Sequence, residues 1–168
     1  MATERKSARA RRAPKAEILK FTRPDADAYE GKAVVRLAQS DILFSAIQII
    51  KAGGDNNLHS PAAMDGVWFV LAGRARFYGT EEDVVLAELG VHEGIFIPRN
   101  FPYWFEQIGH ETLELLQVEA IDRSVKNTRT DYKEQKSSAT DVQMYRMDGS
   151  LLTSGIINPG LDDDDIRE

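Results

Sequence analysis

Between residues 41 and 120 the chain is a succession of short β-branched and aromatic runs, each stopped by a turn-forming residue. Ile42–Ile50 ends in Gly53-Gly54-Asp55-Asn56-Asn57, Val67–Leu71 lies between Asp65-Gly66 and Ala72-Gly73, and Ala75–Tyr78 is closed by Gly79. Val84–Leu89, Ile95–Ile97 before Pro98, Tyr103–Gln107 and Leu113–Val118 continue the series. Strands this short, spaced by about 8 to 12 residues with turn signals between them, belong to antiparallel sandwiches and barrels. No long amphipathic helix interrupts them. Arg36–Lys51 fits helix or strand by periodicity alone, and its β-branched second half is read as strand. Val67–Leu71 and Ala75–Tyr78, joined through Gly73, are expected to form a hairpin.

The remaining chain narrows the function classes. A length of 168 residues suits one domain with tails, here residues 21–150 with a core at 40–120. Residues 1–20 are expected to be a disordered basic arm and 151–168 an acidic tail. Residues 1–24 hold eight bases against two acids, and the rest 13 bases against 25 acids. So acidic a body repels phosphate backbones, which argues against a nucleic-acid partner. No apolar stretch approaches a membrane span or the core of a signal peptide, so no membrane partner and a cytoplasmic location are expected. Zero cysteines exclude disulfides, thiolate nucleophiles and cysteine-held clusters, and His59, His92 and His110 are the whole imidazole complement. Asp122–Thr140 is polar and is read as a surface extension or partner-facing loop; Val142–Met147 is read as one added edge strand. The carboxylate run Asp162–Asp165 is read as a solvated end.

Two patterns then point to a family. One is Gly, five residues, His, one, His, three or four, Glu, six, Gly: here Gly53 leads by five to His59, Pro61 takes the second His slot, Gly66 or Asp65 the Glu slot, and Gly73 closes it. The other is Gly, five, Pro, one, Gly, two, His, three, Asn, whose slots hold His92, Pro98, Asn100, Tyr103 and Gln107. With the flanking runs Val67–Gly73 and Gly94–Pro102, the chain resembles the cupins. The resemblance implies an all-β fold, an antiparallel double-sheet jelly-roll barrel. Asn100 suits a loop slot that needs positive φ. A typical cupin holds a metal on two His and a Glu of the first motif and a His of the second; here only His59 stands at such a position. No cofactor is therefore expected, the remaining option being an atypical metal on His59 and Asp65 with Tyr103.

The same register implies what lines the barrel. His59 and Tyr103 are assigned to catalysis as base and as acid or oxyanion donor. Gln48, Ile50, Trp68, Val70, Phe105 and Gln107 follow by alternation as substrate-binding, and Arg99, in the loop after Pro98, is placed to hold a carboxylate. Such a cavity suits a small apolar or aromatic carbonyl compound, and the pair suits metal-independent isomerisation, elimination or cyclisation. The rival readings are a metal-dependent oxygenase or hydrolase with unusual ligands, and a sensor or carrier without chemistry. A homodimer is expected from the prevalence of C2 pairs.

Overall fold

A computed structural model describes residues 15–52, 54, 56–81, 84–134 and 142–154. The first fourteen residues of the basic arm, Gly53 of the first motif, Asp55, most of the acidic tail and Asp162–Asp165 lie outside the described residues.

Twelve strands form in chain order among those residues: β1 Lys32–Gln39, β2 Leu43–Ile50, β3 His59–Pro61, β4 Met64–Ala72, β5 Ala75–Tyr78, β6 Val85–Leu89, β7 Gly94–Ile97, β8 Trp104–Gln107, β9 Leu113–Ile121, β10 Arg129–Asp131, β11 Gln143–Tyr145 and β12 Leu151–Ser154. They are sorted by long-range pairing. One sheet runs β12-β11-β1-β2-β9-β4-β7, a second runs β6-β5-β8, and β10 pairs with β3. A bridge between His59 and Tyr103, with reciprocal backbone bonds of 3.1 and 3.0 Å, ties β3 to the start of β8. The architecture is thus a double-sheet jelly roll.

Alternation decides what lies between the layers. Trp68 and Val70 on β4, Leu113 and Leu115 on β9 and Ile50 on β2 meet Ala75, Phe77, Tyr103 and Phe105 from the facing layer in one buried cluster. The Phe105 ring sits 5.1 Å from both Trp68 and Phe77, the offset aromatic packing that fixes the spacing of two faces. The opposite phase of β1 and β2 is buried too, because Phe21, Tyr29 and Tyr145 cover Ala33, Val35, Ile47 and Ile49. Arg23 pins that cover through a 2.5 Å ion pair with Glu114.

Four local expectations are corrected. Val67–Leu71 and Ala75–Tyr78 do not pair with each other: β4 bonds to β7 and β9, while β5 bonds to β6 and β8. Gly73, at φ +72, turns the chain out of one sheet into the other, and a Cβ there would meet the Thr112 carbonyl oxygen at 2.7 Å. The first half of the ambiguous segment belongs to a separate strand, β1, whose outer face is buried under the N-terminal cover. Val142–Met147 supplies β11, which is no edge: it runs parallel to β1 and is itself flanked by β12. Finally, the stretch after Ile121 is not merely a surface extension, since β10 pairs with β3 and carries residues to the mouth of the cavity described next.

Candidate functional site

The core does not fill the space between the sheets at the β3 end. A cavity of about 80 Å³ remains, lined by Lys32, Gln48, Asn56, His59, Pro61, Met64, Trp68, Tyr103, Gln117, Glu119, Asn127 and Arg129. Each strand delivers its share by its inward phase. On β9 the residues pointing inward are Leu113, Leu115, Gln117, Glu119 and Ile121, so the strand changes from apolar to polar as it leaves the core. Gln48 stands beside them on β2 and donates to Gln117 Oε1 at 2.6 Å; Gln117 Nε2 in turn donates to Glu119 Oε1 at 2.7 Å. The two amides therefore position one oxygen of the carboxyl. The other, Oε2, is buried with no hydrogen-bond partner, as is Gln48 Oε1.

Gly66 lies beside Trp68 and Glu119. It pairs directly with Glu119 across the β4–β9 ladder. A Cβ on Gly66 would lie 3.5 Å from Trp68 Nε1 and 3.9 Å from Glu119 Cγ, so the bare α-carbon opens a cradle between an indole N–H and a carboxyl.

Burial and charge set the protonation states. His59 Nδ1 is 2.8 Å from the Asn57 carbonyl oxygen, an acceptor only, so Nδ1 carries the proton and Nε2 the lone pair. Desolvation pulls this imidazole down to about 3, and the charges of Arg129 and Lys32 push the same way. It is neutral at physiological pH. Tyr103 is pushed up, chiefly by burial and further by Glu119, and stays a phenol. Glu119 is raised by burial to about 7, with Gln117 and Arg129 opposing the rise. Among these three groups it alone changes charge near neutral pH.

The structure brings four of the sequence-predicted residues, Gln48, His59, Trp68 and Tyr103, to this one cavity. The His59 and Tyr103 rings lie 4.9 Å apart. Five others do not line it. Ile50, Val70 and Phe105 share the inward phase but sit deeper, wholly enclosed in the core cluster. Gln107 points its amide at the next turn, donating to the carbonyls of Gly109 and Glu111. Arg99 does hold carboxylates, but they are the protein's own: Asp65 at 2.7 Å and Asp122 at 2.5 Å. His92 and His110 are exposed, and Asn100 has φ +62.

Sequence reasoning missed Lys32, Gln117, Glu119, Asn127 and Arg129. For Glu119 a signal was available, because Leu113, Leu115 and Ile121 share its period-two phase and enclose it between buried positions. None existed for Asn127 and Arg129, which reach the cavity by β10 folding back on β3. The expected apolar lining is corrected accordingly: eight of the twelve lining residues are polar or charged.

No known family profile matches the chain, and no curated protein sequence does. Solved structures do. One is an uncharacterized conserved protein with a double-stranded β-helix domain from Klebsiella pneumoniae, at 12% identity and TM-score 0.58 over 76% of this chain and 100% of that one. A second is the TT1209 protein of Thermus thermophilus, at 20% identity and TM-score 0.50 over 60% and 90%. A third is an RmlC-like cupin protein from Desulfovibrio desulfuricans, at 18% identity and TM-score 0.49 over 65% and 97%. The fold is a double-stranded β-helix, as in the first of these. Identities this low speak to the fold alone.

In a cupin the motif positions imply a metal, and the residues present at them do not fit one. Pro61 lines the cavity without a donor atom, and Gly66 offers none. Asp65 is turned away and bound by the Arg99 guanidinium and backbone N–H. Tyr103 is held as a phenol, and the cations Lys32 and Arg129 stand where a metal's charge would be repelled. No group of three or more His, Asp or Glu side chains comes together among the described residues.

Proposed function

We propose that the cavity is an acid/base site that moves a proton on a small carbonyl compound without a metal. Glu119 takes and returns the proton, Tyr103 donates its O–H to the developing oxyanion, and neutral His59 accepts a hydrogen bond at Nε2 to orient the substrate. The observation that carries this reading is Glu119 Oε2: an unpaired carboxyl oxygen, buried, facing the cavity, on a group whose charge is balanced near neutral pH. Glu119 thus fills the role the sequence alone gave to His59, because an imidazole held near 3 is too weak a base.

The step balances simply. The carboxylate removes a proton from the carbon next to the carbonyl, the C–H electron pair becomes the enolate C=C bond, and the carbonyl π pair moves to oxygen under the Tyr103 O–H. The protonated Glu119 then returns the proton to the same or the neighbouring carbon. A polar lining favours a polar molecule, and the small volume limits it to a few heavy atoms.

The test is exchange in D2O, read by proton NMR, with hydroxyacetone, dihydroxyacetone and pyruvate as probes. The wild type should accelerate exchange of at least one, and Glu119→Gln, which preserves shape and the contact to Gln117, should lower the rate by about 10² to 10⁴. A wild type that exchanges none of them, or a Gln variant as fast as the wild type, overturns the reading.

A further inference from the structure

We infer that the substrate is a small ketol, a carbonyl compound with a hydroxyl on the neighbouring carbon, and that Gln48 selects it by accepting a hydrogen bond from that hydroxyl. The assignment rests on the acid/base reading of the same site and adds to it the substrate class and the residue that reads it.

Hydrogen-bond polarity runs one way through the buried side chains of β2 and β9. Glu119 Oε1 accepts from Gln117 Nε2 at 2.7 Å, which turns the Gln117 amide oxygen the other way. That oxygen accepts from Gln48 Nε2 at 2.6 Å, which leaves Oε1 as the free end of the Gln48 amide. A carboxylate can only accept, so Glu119 sets the orientation of both amides. Were either amide reversed, two acceptors would face each other across one of these short contacts, which a low-dielectric interior penalises. The relay therefore ends in an acceptor, Gln48 Oε1, that is buried with no hydrogen-bond partner. Gln48 is only 7% exposed, so bulk water does not supply the missing donor.

The other functional groups of the cavity say what else the ligand carries. Tyr103, held as a phenol, offers an O–H, and that donor is matched by a carbonyl oxygen. Glu119 Oε2 is directed in the proposed step at the C–H under attack. A simple ketone meets Tyr103 alone, because it has an acceptor and no donor. A ketol adds one O–H, the group Gln48 Oε1 lacks. The hydroxyl belongs near the reacting C–H for two reasons: a single amide, Gln117, separates Gln48 from Glu119, and a cavity of about 80 Å³ holds few heavy atoms. His59, protonated at Nδ1 toward Asn57, adds a second acceptor at Nε2, so a ketol with hydroxyls on both sides of its carbonyl, such as dihydroxyacetone, has a donor for each. A site whose buried acceptor is met only by the substrate's hydroxyl discriminates strongly against an analogue that lacks it.

The test compares three ligands of nearly the same size by saturation-transfer NMR titration of the full chain. They are hydroxyacetone, butanone, in which a methyl replaces the hydroxyl, and fluoroacetone, in which a fluorine does. Wild type should bind hydroxyacetone at least about tenfold more tightly than either analogue, and in Gln48→Met that preference should fall below about threefold. The preference is a ratio within one protein, so a general loosening of the cavity weakens all three ligands and leaves it standing. Should Gln48→Met not fold, the ligand series on the wild type still decides. Butanone or fluoroacetone binding as tightly as hydroxyacetone, no binding of hydroxyacetone, or a preference kept in folded Gln48→Met each overturns the proposal. The two readings separate: a preference for hydroxyacetone without α-proton exchange of any probe overturns the acid/base reading alone, and catalysed exchange with no preference among the three ligands overturns this one alone.

Discussion

Replacing Glu119 by Gln should change how stability depends on pH more than it changes stability itself. The carboxyl titrates at about 7 in the folded protein against an ordinary value of 4.5. A folded-state value above the unfolded one means that the native chain holds a proton the unfolded chain has released. The stabilisation is complete below about pH 4.5 and is lost as pH rises through about 7. Some 2.5 pH units at about 1.4 kcal/mol each amount to a loss of about 3 kcal/mol across that window. The substituted amide cannot titrate, so the variant should gain about 3 kcal/mol relative to wild type between about pH 4 and pH 8.5. His59 acts in the opposite sense: its folded value of about 3 lies below 6.5, so stability falls as pH drops from 6.5 toward 3. That contribution is common to both proteins and cancels in the difference. Urea unfolding at closely spaced pH values measures the two curves. Parallel curves across pH 4.5 to 7 would show that Glu119 is not desolvated between the sheets, and the acid/base reading would fall with it.

Gly66→Ala should raise stability by about 0.4 to 1 kcal/mol, since its strand conformation accepts an L side chain and the methyl meets only ordinary contacts; a lowered thermal midpoint would contradict this. Gln117→Leu should release Glu119 Oε1 from its donor and raise the carboxyl further, moving the midpoint of any pH–rate profile upward while Gln117→Asn partly restores it. His59→Phe should flatten the acid side of the stability curve between pH 3 and 6.5, which acid unfolding measured against wild type would reveal. Arg99→Ala should lower the thermal midpoint by freeing Asp65 and Asp122, yet leave exchange rates in D2O unchanged, because that guanidinium does not line the cavity.

Much of the frame was legible because β-structure writes its period into the chain. The runs around Val67, Ala75, Ile95 and Leu113 appear as strands close to where they were expected, and Asn100 adopts the positive φ its loop slot demands. His59, Trp68, Gln48 and Tyr103 were legible for the same reason: a residue in phase with buried neighbours points where they point. Partnership was not. Gly73 reads as a hairpin turn until the lateral partners of β4 and β5 are known, and Arg99 reads as a ligand-binding guanidinium until Asp65 and Asp122 are found against it. Asp65, read as a possible ligand, is likewise engaged within the protein.

A succession of short strands and turns, and through it a resemblance to a jelly roll with Pro61 in the slot of the first motif's second His and Gly66 or Asp65 in its Glu slot, was readable from local residues. Alternation and turn chemistry are local, and local residues suffice to state them. Long-range pairing settles the rest: Glu119 arrives from the neighbouring strand, paired across from Gly66, and Lys32 from β1 and Arg129 from β10 line the same cavity. These residues lie up to 97 positions apart in the chain, between Lys32 and Arg129. Their protonation states depend on how much water the packed sheets exclude and which charges face each other, quantities set by distances in space rather than by spacing in sequence.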